Sequence, residues 1–354
     1  MKLHTHTKFL FIALAAAVTA TAAQAGDTYT LYGKARMSVD MTDNGTNNLT
    51  NVANNNSRLG FNGNEDLGNG LRALFQIEAL VNLDDGTGST STLFGSARNS
   101  HVGLASDFGT LVLGVTDNPY KLTTSKLDVS SDSIGDFNAI IGSISTTKTP
   151  FNEREPNSIN YWSPKINGFK FMGAYRPDEN GAVKRDRYSM NATYESGSYY
   201  AGVAYEKHNN DTTDGAGGND TDGLTFGLSY LFNHDKTKLG LVYEALSEDN
   251  IASAFDRNAW YLALSHKMDS NTFKIAYAQA DDNDLASNTG ADWFLVGLDH
   301  SLSKRTTVYA LYAATNNDSG AKYGLGTGGS SGAAKNSIAG KDLSTFSIGI
   351  NHDF

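Results

Sequence analysis

Apolar and polar side chains alternate with a period of two along most of this 354-residue chain. In the stretch from Leu224 to Phe232, for example, apolar residues alternate with Thr225, Gly227 and Ser229. Side chains of an extended strand point alternately to its two faces, so this period predicts β-strands with one apolar face.

Segments of this kind recur along the chain and have about the length that a tilted strand needs to cross a membrane. They are 28–40, 57–64, 70–82, 98–106, 109–117, 156–163, 168–176, 187–195, 198–207, 223–233, 237–247, 258–268, 272–280, 292–302, 305–315 and 343–354. This even set predicts an all-β fold, a 16-stranded antiparallel transmembrane β-barrel.

Short and long connections alternate between these segments. The long polar ones are 41–56, 83–97, 118–155, 177–186, 208–222, 248–257, 281–291 and 316–342. Short turns on one side and long extracellular loops on the other are typical of outer-membrane barrels. A soluble propeller or sandwich also alternates, but it buries its apolar face against another sheet and seldom sorts its loops so regularly.

The amino-terminal residues indicate export. Lys2 and Lys8 precede a short apolar run over residues 9–18, and Ala23-Gln24-Ala25 follows as a small-x-small cleavage site. This pattern predicts a signal peptide over residues 1–25 and a barrel over residues 26–354, because about ten apolar residues are too few to cross a bilayer as a helix.

Composition removes several classes of function. The chain has no Cys and a formal net charge of −10, which becomes −12 when Lys2 and Lys8 are removed with the signal peptide. Without Cys there is no disulfide framework. An acidic balance argues against a nucleic-acid partner, which requires a basic footprint.

The chain shows no catalytic motif, so we expect no enzyme activity, no cofactor and no metal. His266, His300 and His352 lie near predicted strand ends, where aromatic girdles are expected. The acidic loops at 211–222 and 281–284 are read as solvated, with loosely held divalent ions as the less favoured alternative. A lipid hydrolase built on the same barrel and an exported soluble adhesin remain as rival functions.

Charges inside the predicted lumen form the candidate site. By the parity of their strands, Lys34, Arg36 and Arg72 point inward, and Arg58 precedes the outward Leu59. These residues lie on the first three predicted strands, so they form a basic strip on one wall of the lumen.

The loop at 118–155 is the expected acidic partner of this strip. It contains Asp128, Asp132 and Asp136 beside the apolar residues Ile134, Phe137, Ile140 and Ile141. A wholly extracellular loop would not need that apolar cluster. We therefore expect the loop to fold into the barrel, pack its apolar side chains on the wall and turn its aspartates toward the basic strip. Opposed charges of this kind select which ions pass a channel.

Several short motifs are spread along the chain: Leu31-Tyr-Gly-Lys-Ala35, Ser57-Arg-Leu-Gly-Phe-Asn-Gly63, Glu65-Asp-Leu-Gly-Asn-Gly-Leu71, Val102-Gly-Leu104 with Phe108-Gly-Thr-Leu111, Asn157-Ser-Ile-Asn-Tyr161 and the terminal Phe354. At these motifs the chain resembles the general porin family of Gram-negative bacteria. The resemblance implies a homotrimeric diffusion channel whose third loop folds inward as the constriction.

Residue by residue, the resemblance assigns Lys34, Arg58 and Arg98 to the basic cluster of the family. The loop lacks the Pro-Glu-Phe-Gly-Gly run of enteric porins, so Asp132 and Asp136 are chosen by position alone. Phe354 resembles the signal that the barrel-assembly machinery reads, with His352 where a Tyr is more usual.

The expected function is passive diffusion of ions and small hydrophilic solutes across the outer membrane of a Gram-negative bacterium. Expected partners are two further copies of the chain, outer-membrane lipid and lipopolysaccharide, and the assembly machinery. The net negative charge and the aspartate-rich loops favour a weak cation preference, although the inward arginines argue against it.

Overall fold

The computed structural model describes residues 27–84, 93–143, 150–179, 181, 184–211, 218–249, 256–326 and 338–354. The predicted signal peptide lies outside these residues. The strands of the described part, labelled in chain order, are Thr28–Asp43 (β1), Asn48–Asn54 (β2), Arg58–Gly68 (β3), Leu71–Val81 (β4), Phe94–Ala97 (β5), Ser100–Ser106 (β6), Gly109–Asp117 (β7), Arg154–Trp162 (β8), Phe169–Arg176 (β9), Arg187–Ser196 (β10), Tyr199–His208 (β11), Thr221–Phe232 (β12), Thr237–Glu248 (β13), Arg257–Met268 (β14), Asn271–Ala280 (β15), Ala291–Ser301 (β16), Thr306–Asn317 (β17) and Leu343–Asp353 (β18).

These segments form one closed antiparallel barrel. Successive barrel strands pair antiparallel, and β18 returns to pair with β1 from Lys34↔Asp353 to Asp43↔Ser344. Both β2 and β3 pair with β1, and both β5 and β6 pair with β4, so each of these couples is one interrupted barrel strand. The predicted barrel of sixteen strands is therefore confirmed.

The final strand closes the barrel at its end with short turns. The Gly33 N–H donates to the Phe354 carbonyl at 2.9 Å, and the Phe354 N–H donates to the Gly33 carbonyl at 3.0 Å. The ring of Phe354 lies so close over Gly33 that a Cβ there would stand 2.2 Å from Cζ of Phe354. A residue without a side chain at position 33 thus lets the aromatic ring cover the seam.

The outer surface is apolar and the inner surface is largely polar, as the alternation predicts. Leu31, Val102 and Leu228 are about half exposed or more on the outer face, whereas Ser38 and Thr225 are buried inside. Closed strand pairing satisfies the backbone polar groups of a barrel in lipid. No helical segment in the described part of the chain combines the length and the apolar character needed to cross a bilayer.

The prediction is wrong at the first loop, where residues 41–56 are not one long connection. β1 and β2 form a hairpin around residues 44–47, and only Asn55–Ser57 separate β2 from β3. Met37 faces Asn54 and Lys34 faces Arg58. Between these two pairs, three residues that join β2 to β3 lie opposite two residues of β1, so the neighbouring strand has one extra residue. The sequence of β2 contains too few apolar residues for a period of two to reveal it.

The third long connection is called loop 3, and its described parts, residues 118–143 and 150–153, fold into the barrel. It contains one α-helix, Pro119–Thr124 (α1), and 3₁₀ turns at Ser125–Leu127 and Phe137–Ala139. Asn118 begins α1 by accepting a hydrogen bond from the Lys121 N–H at 2.7 Å.

The apolar residues of loop 3 pack on the inner wall of β13 to β17. Ile134, Phe137, Ile140 and Ile141 are 2% exposed or less and share one buried cluster with the wall residues of that side. Those wall residues include Val242, Tyr261, Trp293, Leu295 and Leu311. The predicted packing is confirmed, and it makes this part of the inner wall apolar instead of polar.

Candidate pore constriction

Strand register and two bulges bring the predicted basic residues together. Lys34 on β1 faces Arg58 on β3, and Arg36 follows on the same face of β1. A β-bulge inserts one residue into a strand and re-aims its side chains. The interruption at Asn55–Ser57 holds Asn56 at a φ of 57°, and the interruption between β5 and β6 holds Arg98.

Asp132 is the loop 3 carboxylate that meets this cluster. Its Oδ2 lies 2.8 Å from Nη1 of Arg36 and 3.0 Å from Nη1 of Arg58. Its Oδ1 accepts a hydrogen bond from Nδ2 of Asn56 at 3.1 Å. Burial alone would raise the pKa of Asp132, but the charges of Arg58, Arg36 and Arg98 hold that pKa below its usual value. Asp132 is therefore an ionised carboxylate shared by two guanidinium groups.

Asp136 points into loop 3 instead of toward the basic wall. Its carboxylate accepts hydrogen bonds from the N–H of Asp132 at 3.1 Å and of Asn138 at 2.9 Å. The side chain is buried, and burial raises the pKa of Asp136 to about 6.

Asp128 lies beside Asp136 and also makes its hydrogen bonds inside the loop. It accepts from the N–H of Ser130 at 2.9 Å. Burial and the charge of Asp136 raise the pKa of Asp128 well above its usual value. Loop 3 therefore presents one ionised aspartate to the basic wall and keeps two others as internal hydrogen-bond acceptors.

Arg98 and Lys34 differ in their partners. The Nε of Arg98 lies 3.0 Å from Oε1 of Glu78, and its Nη1 donates to Oδ1 of Asn56 at 3.3 Å. Lys34 has no carboxylate within 4.0 Å among the described residues. Lys34 thus contributes a positive charge beside Arg36 and Arg58 without a carboxylate in contact with it, although Asp353 faces it on β18.

Arg72 is not brought to this cluster. Arg72 lies on β4 next to the short turn, and it faces Asp66 of β3. Asp66 is eight residues away from Arg58 along β3. At about 3.3 Å per residue this separation is roughly 26 Å. Arg72 lines a different cavity together with Asn64, Gln76 and His101.

Two cavities adjoin Asp132 inside the barrel, of about 320 Å³ and about 170 Å³. Both are lined by Asp128, Ser131 and Asp132. The basic residues that line them are Lys34, Arg36, Arg58, Arg98, Lys121, Arg154 and Lys274, and the acidic ones are Asp128, Asp132, Asp136, Glu153 and Asp299. The lumen next to Asp132 is thus a water-accessible passage lined by more basic than acidic side chains.

Several of these lining charges are neutralised locally. Asp117 pairs with Lys121 at 2.9 Å and with Arg154 at 3.3 Å, and Lys274 pairs with Asp299 at 2.5 Å. Burial also raises the pKa of Glu153.

The expected weak cation preference is not supported by this lining. That preference is predicted from the net charge of the whole chain and its aspartate-rich loops. Most of the charged residues lie away from the narrow part of the lumen. An ion responds to the charges within a few ångströms of its path, since salt screens more distant ones. Near Asp132 those charges are predominantly positive.

A buried carboxylate on the opposite wall, Glu244, holds loop 3 in place. It is not among the site residues predicted from the sequence. Glu244 on β13 accepts hydrogen bonds from the Tyr120 hydroxyl at 2.9 Å and from the Gly142 N–H at 2.8 Å. Arg257 on β14 lies 2.9 Å from Oε1 of Glu244 and also donates to the Ile140 carbonyl at 3.1 Å. The signal that could have found this site is the acidic residue in the otherwise apolar run of β13.

Comparisons with known proteins agree with this architecture. A family model described as "Gram-negative porin" matches residues 12–321. The outer membrane porin protein 32 of Delftia acidovorans is 30% identical over 286 residues, which are 76% of this chain and 79% of that protein. The major outer membrane protein P.IB of Neisseria gonorrhoeae is 28% identical over 265 residues, 72% of this chain and 69% of that protein.

A solved structure is similar as well. The anion-selective porin from Comamonas acidovorans superposes with a TM-score of 0.81 at 27% identity, covering 93% of this chain and all of that one. Two of these proteins are named as porins, and a porin is a membrane channel, which removes the hydrolase and soluble-adhesin alternatives.

Proposed function

Because the chain belongs to the Gram-negative porin family and is an outer-membrane diffusion channel, we propose that it passes small anions in preference to small cations. The observation that carries this proposal is the charge imbalance at the inward loop. Asp132 is shared by Arg36 and Arg58, while the neighbouring Lys34 has no described carboxylate partner. The similar porin from Comamonas acidovorans is described as anion-selective, which supports the same sign.

The lumen can exert this preference because water and charge share a narrow passage. Rings of basic side chains at a constriction favour anions. Asp128 and Asp136 oppose the preference weakly, because their carboxyl groups accept backbone N–H groups within loop 3 instead of facing the basic wall.

Reversal potentials in a potassium chloride gradient across a planar bilayer test the proposal. We expect chloride to be favoured in the wild type and the Lys34→Glu variant to shift the potential toward potassium. Lys165→Glu is the matched control, since Lys165 lies between β8 and β9 at the end with short turns and its side chain is half exposed. A wild-type preference for potassium, or an equal shift in both variants, would overturn the assignment.

The constriction itself is proposed to consist of Lys34, Arg36, Arg58 and Arg98 on the wall and of Asp132 on loop 3. Arg72 is left out because it lies near the short turns. Asp128 and Asp136 are assigned to shaping the loop, since their carboxylates accept its backbone N–H groups.

The functional unit is proposed to be a homotrimer in contact with outer-membrane lipid and lipopolysaccharide. The membership of the chain in the Gram-negative porin family supports this proposal, and the broad apolar outer face provides surface for contacts with lipid and with other subunits. Conductance steps in groups of three and a band that dissociates only on boiling are expected. Independent single steps together with a monomeric band would contradict the trimer.

Phe354 is proposed to be the residue that the barrel-assembly machinery recognises. Its backbone closes the seam to Gly33 and its ring covers that glycine. Phe354→Ala is expected to reduce the yield of folded barrel while leaving the conductance of the remaining channels unchanged. Normal yield would refute the role.

A further inference from the structure

A second cluster of buried charges lies behind the returning arm of loop 3, at the end of the barrel with long loops. It contains Glu155 on β8 and Glu206 and His208 on β11, and all three side chains are buried. Asp211, which follows β11, is buried beside them. None of these residues lines the two cavities next to Asp132.

His208 stands between two carboxylates. Its Nε2 lies 2.7 Å from Oε1 of Glu206, and its Nδ1 lies 3.7 Å from Oδ2 of Asp211. A neutral imidazole carries one N–H, so one of its nitrogens would present a lone pair to a carboxylate. An imidazolium ion has a proton on each nitrogen and presents a positive charge to both acids.

The charges around the ring favour a proton and not a metal ion. Glu155 is paired with Arg187 at 2.8 Å and with Arg176 at 3.2 Å. Together with Glu206 and Asp211, the described groups therefore carry three negative and two positive charges. A protonated His208 supplies one positive charge between Glu206 and Asp211. A divalent cation would overcompensate the net negative charge and would lie next to two guanidinium groups.

The cluster holds loop 3 through an aromatic contact. Phe151, on the returning arm of the loop, stacks on the ring of His208 with 4.5 Å between centroids and 12° between planes. Phe151 also packs against Tyr120 on the outgoing arm, with 5.6 Å between ring centroids. A ring stacked on an imidazolium gains cation–π attraction that it lacks on a neutral imidazole.

We propose that His208 is a protonation-controlled latch for loop 3. With both ring nitrogens protonated, His208 binds Glu206 and Asp211 and seats Phe151 against the wall. On deprotonation a buried lone pair faces a carboxylate and the cluster carries a net negative charge. This destabilises the seat of Phe151 and frees the returning arm. The groups facing His208 are Phe151 from loop 3, Glu155 from β8, Arg187 from β10, Glu206 from β11 and Asp211 with Thr221 from the next hairpin.

The proposal predicts a measurable protonation state. Nitrogen NMR of the whole protein with labelled histidine, in detergent micelles, is expected to show His208 as imidazolium at pH values above those at which a free imidazole loses its proton. The His208→Gln variant assigns the signal. A neutral His208 ring across the range from about pH 6 upward, or a signal that moves on addition of Zn²⁺, would overturn the latch.

Channel recordings test the consequence. The open-channel current of the wild type is expected to become noisier as pH rises, and His208→Gln is expected to lose this pH dependence. His300→Gln is the matched control, since that ring is exposed and bonded to Asn271. If His208→Gln does not assemble, Phe151→Leu tests the same contact. It should keep the protonated His208 signal and give noisy channels at every pH, and quiet channels would refute the proposal.

Discussion

Two guanidinium–carboxylate pairs that hold loop 3 are alike in chemistry and different in surroundings: the wall pair Glu244–Arg257, which binds Tyr120 and Ile140 of the loop, and the pair of Asp132 on the loop with Arg36 on the wall. The Glu244–Arg257 pair, at 2.9 Å, has side chains 0% and 1% exposed. The Asp132–Arg36 pair, at 2.8 Å, has side chains 17% and 15% exposed and lines the water-filled lumen. The same bond serves as an anchor in one place and as a charged wall in the other.

The difference follows from the solvent around each pair. Breaking a buried pair leaves an uncompensated charge in a medium of low dielectric constant and costs about 3–5 kcal/mol. A pair next to water loses much less, since water replaces the missing partner, and its worth is about 1 kcal/mol or below. Substitutions at Glu244 should therefore change stability, whereas substitutions at Asp132 should change which ions pass.

Glu244→Gln is expected to have the largest effect. It leaves the buried Arg257 unpaired while keeping the shape of the side chain, so stability should fall by about 3–5 kcal/mol. The temperature at which the folded band converts to the unfolded band on a detergent gel checks this. Glu244→Leu with Arg257→Met is the control, because removing both charges of a buried pair is often neutral. A double variant that is less stable than Glu244→Gln would contradict the role of Glu244 as the anchor of loop 3.

Asp132→Asn is expected to change the free energy of unfolding by about 1 kcal/mol or less. It is also expected to strengthen the preference of the channel for anions. An ion passing about 4 Å from a lost unit charge in water changes its energy by about 1 kcal/mol. That is roughly a fivefold change in the permeability ratio. Reversal potentials measure it. A large loss of stability with unchanged selectivity would reverse the proposed roles of the two contacts.

Arg58→Gln is expected to shift the reversal potential toward cations by a similar or smaller factor, because Arg36 still neutralises Asp132. Arg72→Gln makes the same change of charge about 26 Å away along the wall and is the matched control. Since that distance exceeds the Debye length at physiological salt, the control should show almost no shift. Equal shifts from both variants would remove Arg58 from the constriction.

The pH dependence of selectivity is expected to be the smallest effect. Burial raises the pKa of Asp136 to about 6, so this carboxyl gains its charge as pH rises through about 6. Anion preference should therefore be stronger at pH 5 than at pH 7.5, and Asp136→Asn should reduce the difference between the two. If the anion preference of the wild type falls on acidification, the assignment of this effect to Asp136 is contradicted.

The same raised pKa has a consequence for stability. Asp136 binds its proton more tightly when folded than when unfolded, where its pKa is 3.8. Its contribution to stability is complete below that value and is lost as pH rises through about 6.

The strands were predictable because membrane and water impose one simple rule on them. Each residue of a spanning strand faces lipid or lumen, so the period of two appears directly in the sequence, as from Leu224 to Phe232. Where the rule does not apply, the prediction fails. β2 lacks the alternation. Tyr261 and Trp293 face inward but are not the polar residues that the rule predicts there, because the apolar side chains of loop 3 pack on them.

The candidate site was partly predictable for the same reason. Parity and the family motifs selected Lys34, Arg36, Arg58 and Arg98, which the structure places near one another. Parity also selected Arg72, since it gives the direction of a side chain and not its height along the barrel. The orientation of Asp128 and Asp136 depends on backbone N–H groups within a loop that has no period.

The barrel, the alternation of its faces, the inward loop and the basic character of one wall were predictable, because each depends on local spacing and residue type. Three features became visible only in the folded chain: Asp132 meets the arginines, Lys34 has no carboxylate within contact distance among the described residues, and Glu244 binds Tyr120 of loop 3, 124 residues away in the chain. Ion pairs and burial are properties of distances in space, and these depend on register and bulges that residue spacing does not specify.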